Sequence, residues 1–144
     1  MLLCYGHVNA SRHFLAFRGS GVSTVLIIPD LHTPYHHDYA IDFLRDTARE
    51  YKPDKIVCIG DEIDAHAFGR YPRDPDAASP GSEISQARAA LKPLYKLFPR
   101  VNVCESNHTY RPYKRAFEAG LPHMFLRGIK EVLEAPPRWL WCDR

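Results

Sequence analysis

Three short apolar, β-branched runs in this chain each stop abruptly at residues able to bind a metal ion, and this repetition restricts its fold more than any other feature. They are Val25-Leu26-Ile27-Ile28-Pro29-Asp30-Leu31-His32, Ile56-Val57-Cys58-Ile59-Gly60-Asp61 and Val101-Asn102-Val103-Cys104-Glu105-Ser106-Asn107-His108. Continuous apolar runs of this length read as strands buried on both faces, the form strands take inside α/β layers. Ligand sites of open α/β sheets lie just past the carboxyl ends of such strands. Asp-x-His, Gly-Asp and Asn-His at three strand ends would bring two carboxylates, two imidazoles and an amide to one edge.

The segments between the runs support this layout. From Tyr39 to Tyr51 the apolar residues Ala40, Ile41, Phe43, Leu44, Ala48 and Tyr51 fall at helical spacing, with Asp38 as the expected N-cap. Pro53-Asp54 turns the chain into the second run, which completes a βαβ unit with a right-handed crossover. Between Asp64 and Ser82 the periodic pattern breaks down, and residues 71–81, rich in Pro, Asp and Gly, read as a loop beside the site. A helix is expected from Ser82, with a kink or early stop at Pro93. Two further helices are expected over Tyr110–Ala119 and Leu121–Ala135, and Trp139-Leu140-Trp141 opens a fourth strand.

With 144 residues the chain has room for one domain with a real core. A net charge of +2 gives no bulk argument for a nucleic-acid or membrane partner. No stretch approaches the ~20 apolar residues needed to span a bilayer. The cysteines at 4, 58, 104 and 142 form no Cys-x-x-Cys pair; Cys58 and Cys104 lie inside strand runs and read as buried, reduced thiols, which suits the cytoplasm. Residues 1–21 form a leader or edge segment of unclear role, and 22–144 the domain.

A carboxylate with an imidazole suits manganese, iron or zinc better than calcium. Asp30 and His32 can reach one ion, Asp61 could bridge two, Asn107 offers an amide oxygen, and His108 brings a titratable ring to the same place. Two ions about 4 Å apart would clamp the attacking and leaving oxygens of an in-line phosphoryl displacement and acidify a bridging water. His36, His37 and His66 read as loop histidines beside the cleft, and His123 as surface. Directly after His108, Tyr110-Arg111-Pro112-Tyr113-Lys114-Arg115 interleaves aromatics with cations. Its plain reading is a helix starting at Pro112 with a solvated basic face. Its functional readings are a phosphate clamp led by Arg111, or a platform for a nucleic-acid strand. Arg70 and Arg73 are weaker candidates for the same task.

Asp30-Leu31-His32, Gly60-Asp61-Glu62-Ile63-Asp64 and Asn107-His108, in that order, resemble the Asp-x-His, Gly-Asp-x-x-Asp, Gly-Asn-His-Asp/Glu signature of calcineurin-like metallophosphoesterases. The resemblance implies an α/β sandwich of mixed β-sheets flanked by helices. It also implies two divalent metal ions, manganese first with iron, zinc or nickel as alternatives. Asp30 and His32 would hold the first ion, Asp61 would bridge, and Asn107 would hold the second. His108 would protonate the leaving oxygen or stabilise the transition state, with Asp64 orienting its ring. Ser106 and Thr109 depart from the signature. Nothing after His108 matches the family's distal histidines, so the chain resembles an amino-terminal half whose second metal site is incomplete. The expected function is hydrolysis of a phosphomonoester or phosphodiester, nucleotide and nucleic acid included, by a metal-bound hydroxide. The alternative is a non-catalytic half-domain that binds metal, phosphate or nucleic acid, or that a homodimer or partner chain completes.

Overall fold

The computed structural model describes residues 23–72 and 74–142. Four strands, β1 (Val25–Ile28), β2 (Lys55–Cys58), β3 (Val101–Cys104) and β4 (Trp139–Cys142), form one parallel sheet in the order β1-β2-β3-β4. The crossovers carry the helices: α1 (Ala40–Tyr51), α2 (Pro80–Leu97), and α3 (Asn107–Glu118) followed by the single turn α4 (Ile129–Val132). The class is therefore α/β. The described residues hold one all-parallel sheet, and the second sheet of the expected mixed-sheet sandwich is not among them.

Strand order and handedness together decide where the core lies. Every step across this sheet goes in the same direction, and right-handed crossovers then place every helix on the same face. The core agrees: Ile28, Cys58, Val101, Val103 and Trp139 pack with Ile41 and Leu44 of α1 and with Ala87, Leu91, Leu94 and Tyr95 of α2. The opposite face is open. Ile27 is 55% exposed and Leu140 51%, so the expectation of strands buried on both faces is wrong for this sheet. Cys104 is corrected for the same reason. Alternate residues of a strand face opposite ways, so Val101 and Val103 are buried while Asn102 and Cys104 are exposed. Cys58 does lie in the core, where burial pushes its thiol up to about 12 and keeps it unreactive.

Several element boundaries differ from expectation. Helix α1 takes Tyr39 as its N-cap residue, with no side-chain bond, so Asp38 does not cap it. Helix α2 starts at Pro80 rather than Ser82, because Ser79 accepts a hydrogen bond from Ser82 N and proline fits the first helical turn. It also runs through Pro93 to Leu97. Its buried stripe continues past that proline as Leu94 and Tyr95, and their packing outweighs the one lost backbone bond. Helix α3 likewise starts at Asn107, capped by Ser106, with Pro112 inside it rather than at its start. The long helix expected over 121–135 is reduced to a 3-10 turn at His123–Phe125 and α4. The apolar residues Met124 and Phe125 there are 84% and 72% exposed, so no buried face sustains a longer helix.

One buried carboxylate holds the loop after β2 against α2. Glu83 is 1% exposed, and its two oxygens accept from His66 N and Ala67 N, each at 2.7 Å. Glu83→Ala would orphan both amides of the 3-10 turn His66–Phe68. It is expected to destabilise the fold by about 3 kcal/mol, read as a lower urea midpoint, with Glu83→Gln recovering part of the loss.

Candidate metal centre

Two loops, those that follow β1 and β2, are zipped together beyond the sheet edge. His32 N donates to Asp61 O at 2.8 Å, Thr33 N to Glu62 O at 3.1 Å, and Asp64 N to Thr33 O at 3.0 Å. The buried Thr33 hydroxyl adds a bond to Glu62 O at 2.7 Å. This ladder fixes the Asp-x-His and Gly-Asp-x-x-Asp segments in mutual register. It also holds His32 at φ 52° and Asp61 at φ 51°, in the left-handed region that non-glycine residues seldom occupy. Both are candidate ligands, and backbone of this kind collects at functional sites; Lys52, Ala65 and Glu134 adopt it as well.

The loop after β3 is brought to the same edge by a glycine. Gly60 has φ 107°, and a Cβ there would lie 2.7 Å from the Ser106 Cβ. Only glycine permits this approach, which sets Asp61 and Asn107, one residue further along each loop, on adjoining segments. Ser106 caps α3 through Thr109 N, and the Thr109 hydroxyl, 2.9 Å from the Ser106 hydroxyl, donates to Glu62 Oε1 at 3.2 Å. Departure from the signature at 106 and 109 thus has a local purpose: it ties the start of α3 to the buried Glu62 in the loop after β2.

Asp30, His32 and Asp61 each place a ligand atom within 4.8 Å of the others. The proton inventory of this cluster favours a cation. His32 Nδ1 lies 2.9 Å from Asp64 Oδ1 and donates to it, and Nε2 faces Asp61 Oδ2 at 3.8 Å. That distance is too long for a hydrogen bond. Asp61 Oδ1 is buried with no partner among the described residues. A buried carboxylate oxygen without a partner is costly, a cation would offset that cost, and a carboxylate orienting a histidine is the usual support of a metal-ligating imidazole. Asp30 stands exposed at the mouth. Asn107, the first residue of α3, is also exposed and lines the adjoining cleft, where its amide oxygen is available.

His108 sits beside this centre, its ring 4.5 Å from that of His32 in an edge-to-face arrangement. Its Nδ1 is 2.6 Å from Asp64 O and 3.2 Å from Asp64 Oδ1, and its Nε2 is 2.9 Å from an Arg111 nitrogen. A guanidinium only donates, so Nε2 is the acceptor and Nδ1 carries the proton. Arg111 also donates to Asp64 O at 2.9 Å. Asp64 therefore organises both histidines: its carboxylate holds His32 most closely, and its carbonyl holds His108 and Arg111.

His66 is exposed, lines the cleft and keeps Nδ1 3.9 Å from Asp64 Oδ2. His36 bonds Pro34 O and His37 receives Tyr39 N, so both ring nitrogens that contact the chain serve the loop. His123 stacks on Tyr113 at 11° between ring planes. Arg73 and residues 1–22, with His7, His13, Cys4 and the leader, lie outside the described residues.

Sequence reasoning passed over Glu62. It is fully buried, bonded by Thr109 and by the Trp141 indole at 3.1 Å, and burial raises its carboxyl above the ordinary range. Its place between Asp61 and Asp64 in Gly-Asp-Glu-Ile-Asp disguised it as one more acidic ligand. Its contacts settle the matter: it points into the core beside Ile63, toward Thr109 and Trp141.

No described helix is long and apolar enough to cross a membrane. Scans against protein-family models, curated proteins and solved structures find no match to this chain.

Proposed function

We propose that the chain is a metal-dependent phosphoesterase domain whose centre is built on Asp30, His32 and Asp61, with Asn107 as the further oxygen donor. The observation that carries this reading is the buried Asp61 Oδ1, without a partner among the described residues, on a carboxylate whose Oδ2 stands 3.8 Å from His32 Nε2, both residues being on left-handed backbone. A divalent ion in such a cluster supplies Lewis acidity, acidifying water and offsetting negative charge on phosphate oxygens. The calcineurin-like sandwich fits this donor set, manganese is the first choice of ion, and a reducing cytoplasm suits the free thiols of Cys104 and Cys142.

The other residues have roles that follow from their contacts. Arg111 rests on His108 Nε2 and can transfer its guanidinium to a phosphate oxygen, a bidentate partner it fits better than imidazole. That movement frees Nε2 to take up a proton and pass it to the leaving oxygen. Throughout, Asp64 O keeps Nδ1 as a donor and fixes the ring. Asp64 is then a positioning residue for both histidines.

Elemental analysis after manganese loading, run beside hydrolysis of bis(p-nitrophenyl) phosphate and p-nitrophenyl phosphate, tests the reading. Bound metal with turnover is expected. His108→Ala should keep the metal and lower turnover by about 10²-fold or more, the range of a lost general acid. A chain that binds no manganese and cleaves neither ester refutes the proposal.

A second reading rests on the open sheet face. Parallel sheets are ordinarily covered on both sides, yet Val25, Ile27, Ile59 and Leu140 are each at least 44% exposed. This favours a half-domain that a second copy or partner chain completes, with full activity only in the assembly. Turnover that rises with protein concentration, alongside a shift in mass by light scattering, would support it.

A further inference from the structure

Beside the metal centre lies a cleft of about 530 Å³ whose walls the phosphoesterase reading does not use in full. Helix α3 forms one wall and the segment His66–Tyr71 the other. Asn107 and Arg111 stand at the end nearest the centre, and Lys114 and Arg115 follow along the helix. Arg70 faces them from the opposite wall. Two carboxylates also line the cleft, Glu105 and Glu118; Glu118 is held by Arg115 at 3.1 Å. Arg115 is further committed to the opposite wall through the Phe68 and Gly69 carbonyls, so it braces the cleft. No ion pair among the described residues engages Arg70 or Lys114, and both side chains are exposed.

The cleft also carries two exposed aromatic rings, Tyr71 at 87% and Tyr110 at 50%. Tyr110 is shared with a second cleft of about 310 Å³ on the far side of α3. There its ring lies 6.3 Å from both Tyr113 and Phe117, which in turn contact His123. Free cations in line with a metal centre, interleaved with rings that continue past it, match one chemistry. A single nucleic-acid strand presents regularly repeated phosphates to the cations and a planar base to each ring.

We propose that this cleft binds single-stranded nucleic acid, so that the scissile bond at the metal centre is a backbone phosphodiester. The inference deepens the phosphoesterase reading and rests on it for the cleavage step alone. Helix α3 sets the scale: at 1.5 Å per residue, Asn107 and Lys114 are about 10 Å apart along its axis, enough to reach a phosphate beyond the one at the centre. A mononucleotide would occupy Arg111 and one ring, leaving Lys114 and the second cleft uncontacted. A phosphopeptide would use Arg111 and leave both tyrosines without a planar partner.

The test is fluorescence anisotropy with a short fluorescein-labelled oligothymidylate and manganese present, strand length being checked afterwards. Thymidine monophosphate and a phosphoserine peptide serve as competitors. Tight binding of the strand is expected, with neither competitor displacing it at comparable concentration. Tyr71→Ala and Tyr110→Ala should each weaken binding about tenfold, the effect of one lost base stack. Lys114→Ala should lower the slope of log K against log salt by about 0.7, one phosphate contact on a single strand. Tyr71 is nearly fully exposed, so its variant tests the surface without testing the fold. Absent strand binding, equal binding of the mononucleotide or phosphopeptide, or no change in either tyrosine variant overturns the proposal. Failure of the metal-centre reading is seen separately, as absent manganese or an uncleaved small diester while the strand still binds.

Discussion

Asp61→Asn is expected to reduce both metal content and diester hydrolysis by more than about 10²-fold, beyond the 10–100-fold typical of a residue that merely supports a ligand. The substitution is nearly isosteric, and asparagine is among the residues that tolerate the left-handed backbone found at position 61, φ 51°. The loss would therefore reflect charge and donor chemistry. Stability should move the other way. Asp61 Oδ1 is a buried acceptor with no partner among the described residues, and Oδ2 of the same carboxylate lies 3.8 Å from His32 Nε2. An amide at that position can donate, so in chelator the variant should melt no lower than the parent chain. Calorimetry with and without manganese reads both halves of this expectation. Unchanged metal content and turnover would remove Asp61 from the centre.

Trp139→Ala should bring the fold close to unfolding, at a cost of about 3–5 kcal/mol out of the 5–15 kcal/mol that a domain commonly holds in total, roughly. The indole is fully buried on β4, donates to Phe98 O at 2.8 Å, and meets the Tyr95 ring edge-on at 4.8 Å. Removing it opens a cavity, orphans a carbonyl and loosens the one strand on which β4 pairs, β3. The neighbouring residue is the control. Leu140 points to the open face, and Leu140→Ala should change stability by less than about 0.5 kcal/mol. Urea denaturation of both variants decides the point. If Leu140→Ala proved as costly as Trp139→Ala, the face that is open here would have to be covered in solution.

Much of the centre was legible because the chemistry is local in sequence. An apolar run followed by Asp-x-His or Gly-Asp states both the strand and the candidate ligands at its end; three strands lie where those runs stand, and the fourth at Trp139-Leu140-Trp141. Other features depended on partners far away in the chain. Whether Pro93 stops α2 depends on Leu94 and Tyr95 finding a core beyond it. The helical pattern over 121–135 finds no such core and remains a few short turns. Asp64 reads as a support for His108, yet its carboxylate lies closer to His32, a choice made by the ladder between the β1 and β2 loops.

By itself the sequence determined the α/β class, the strand sites and the residues that gather at one sheet edge, since each follows from the periodicity and termination of a short segment. Only the tertiary structure decided which face of each strand is buried, which partner each histidine nitrogen meets, and that a cationic, aromatic cleft adjoins the centre. The physical reason is that burial and protonation are set by neighbours across space. Strand order β1-β2-β3-β4 sends every helix to one side, and no local run of residues encodes that.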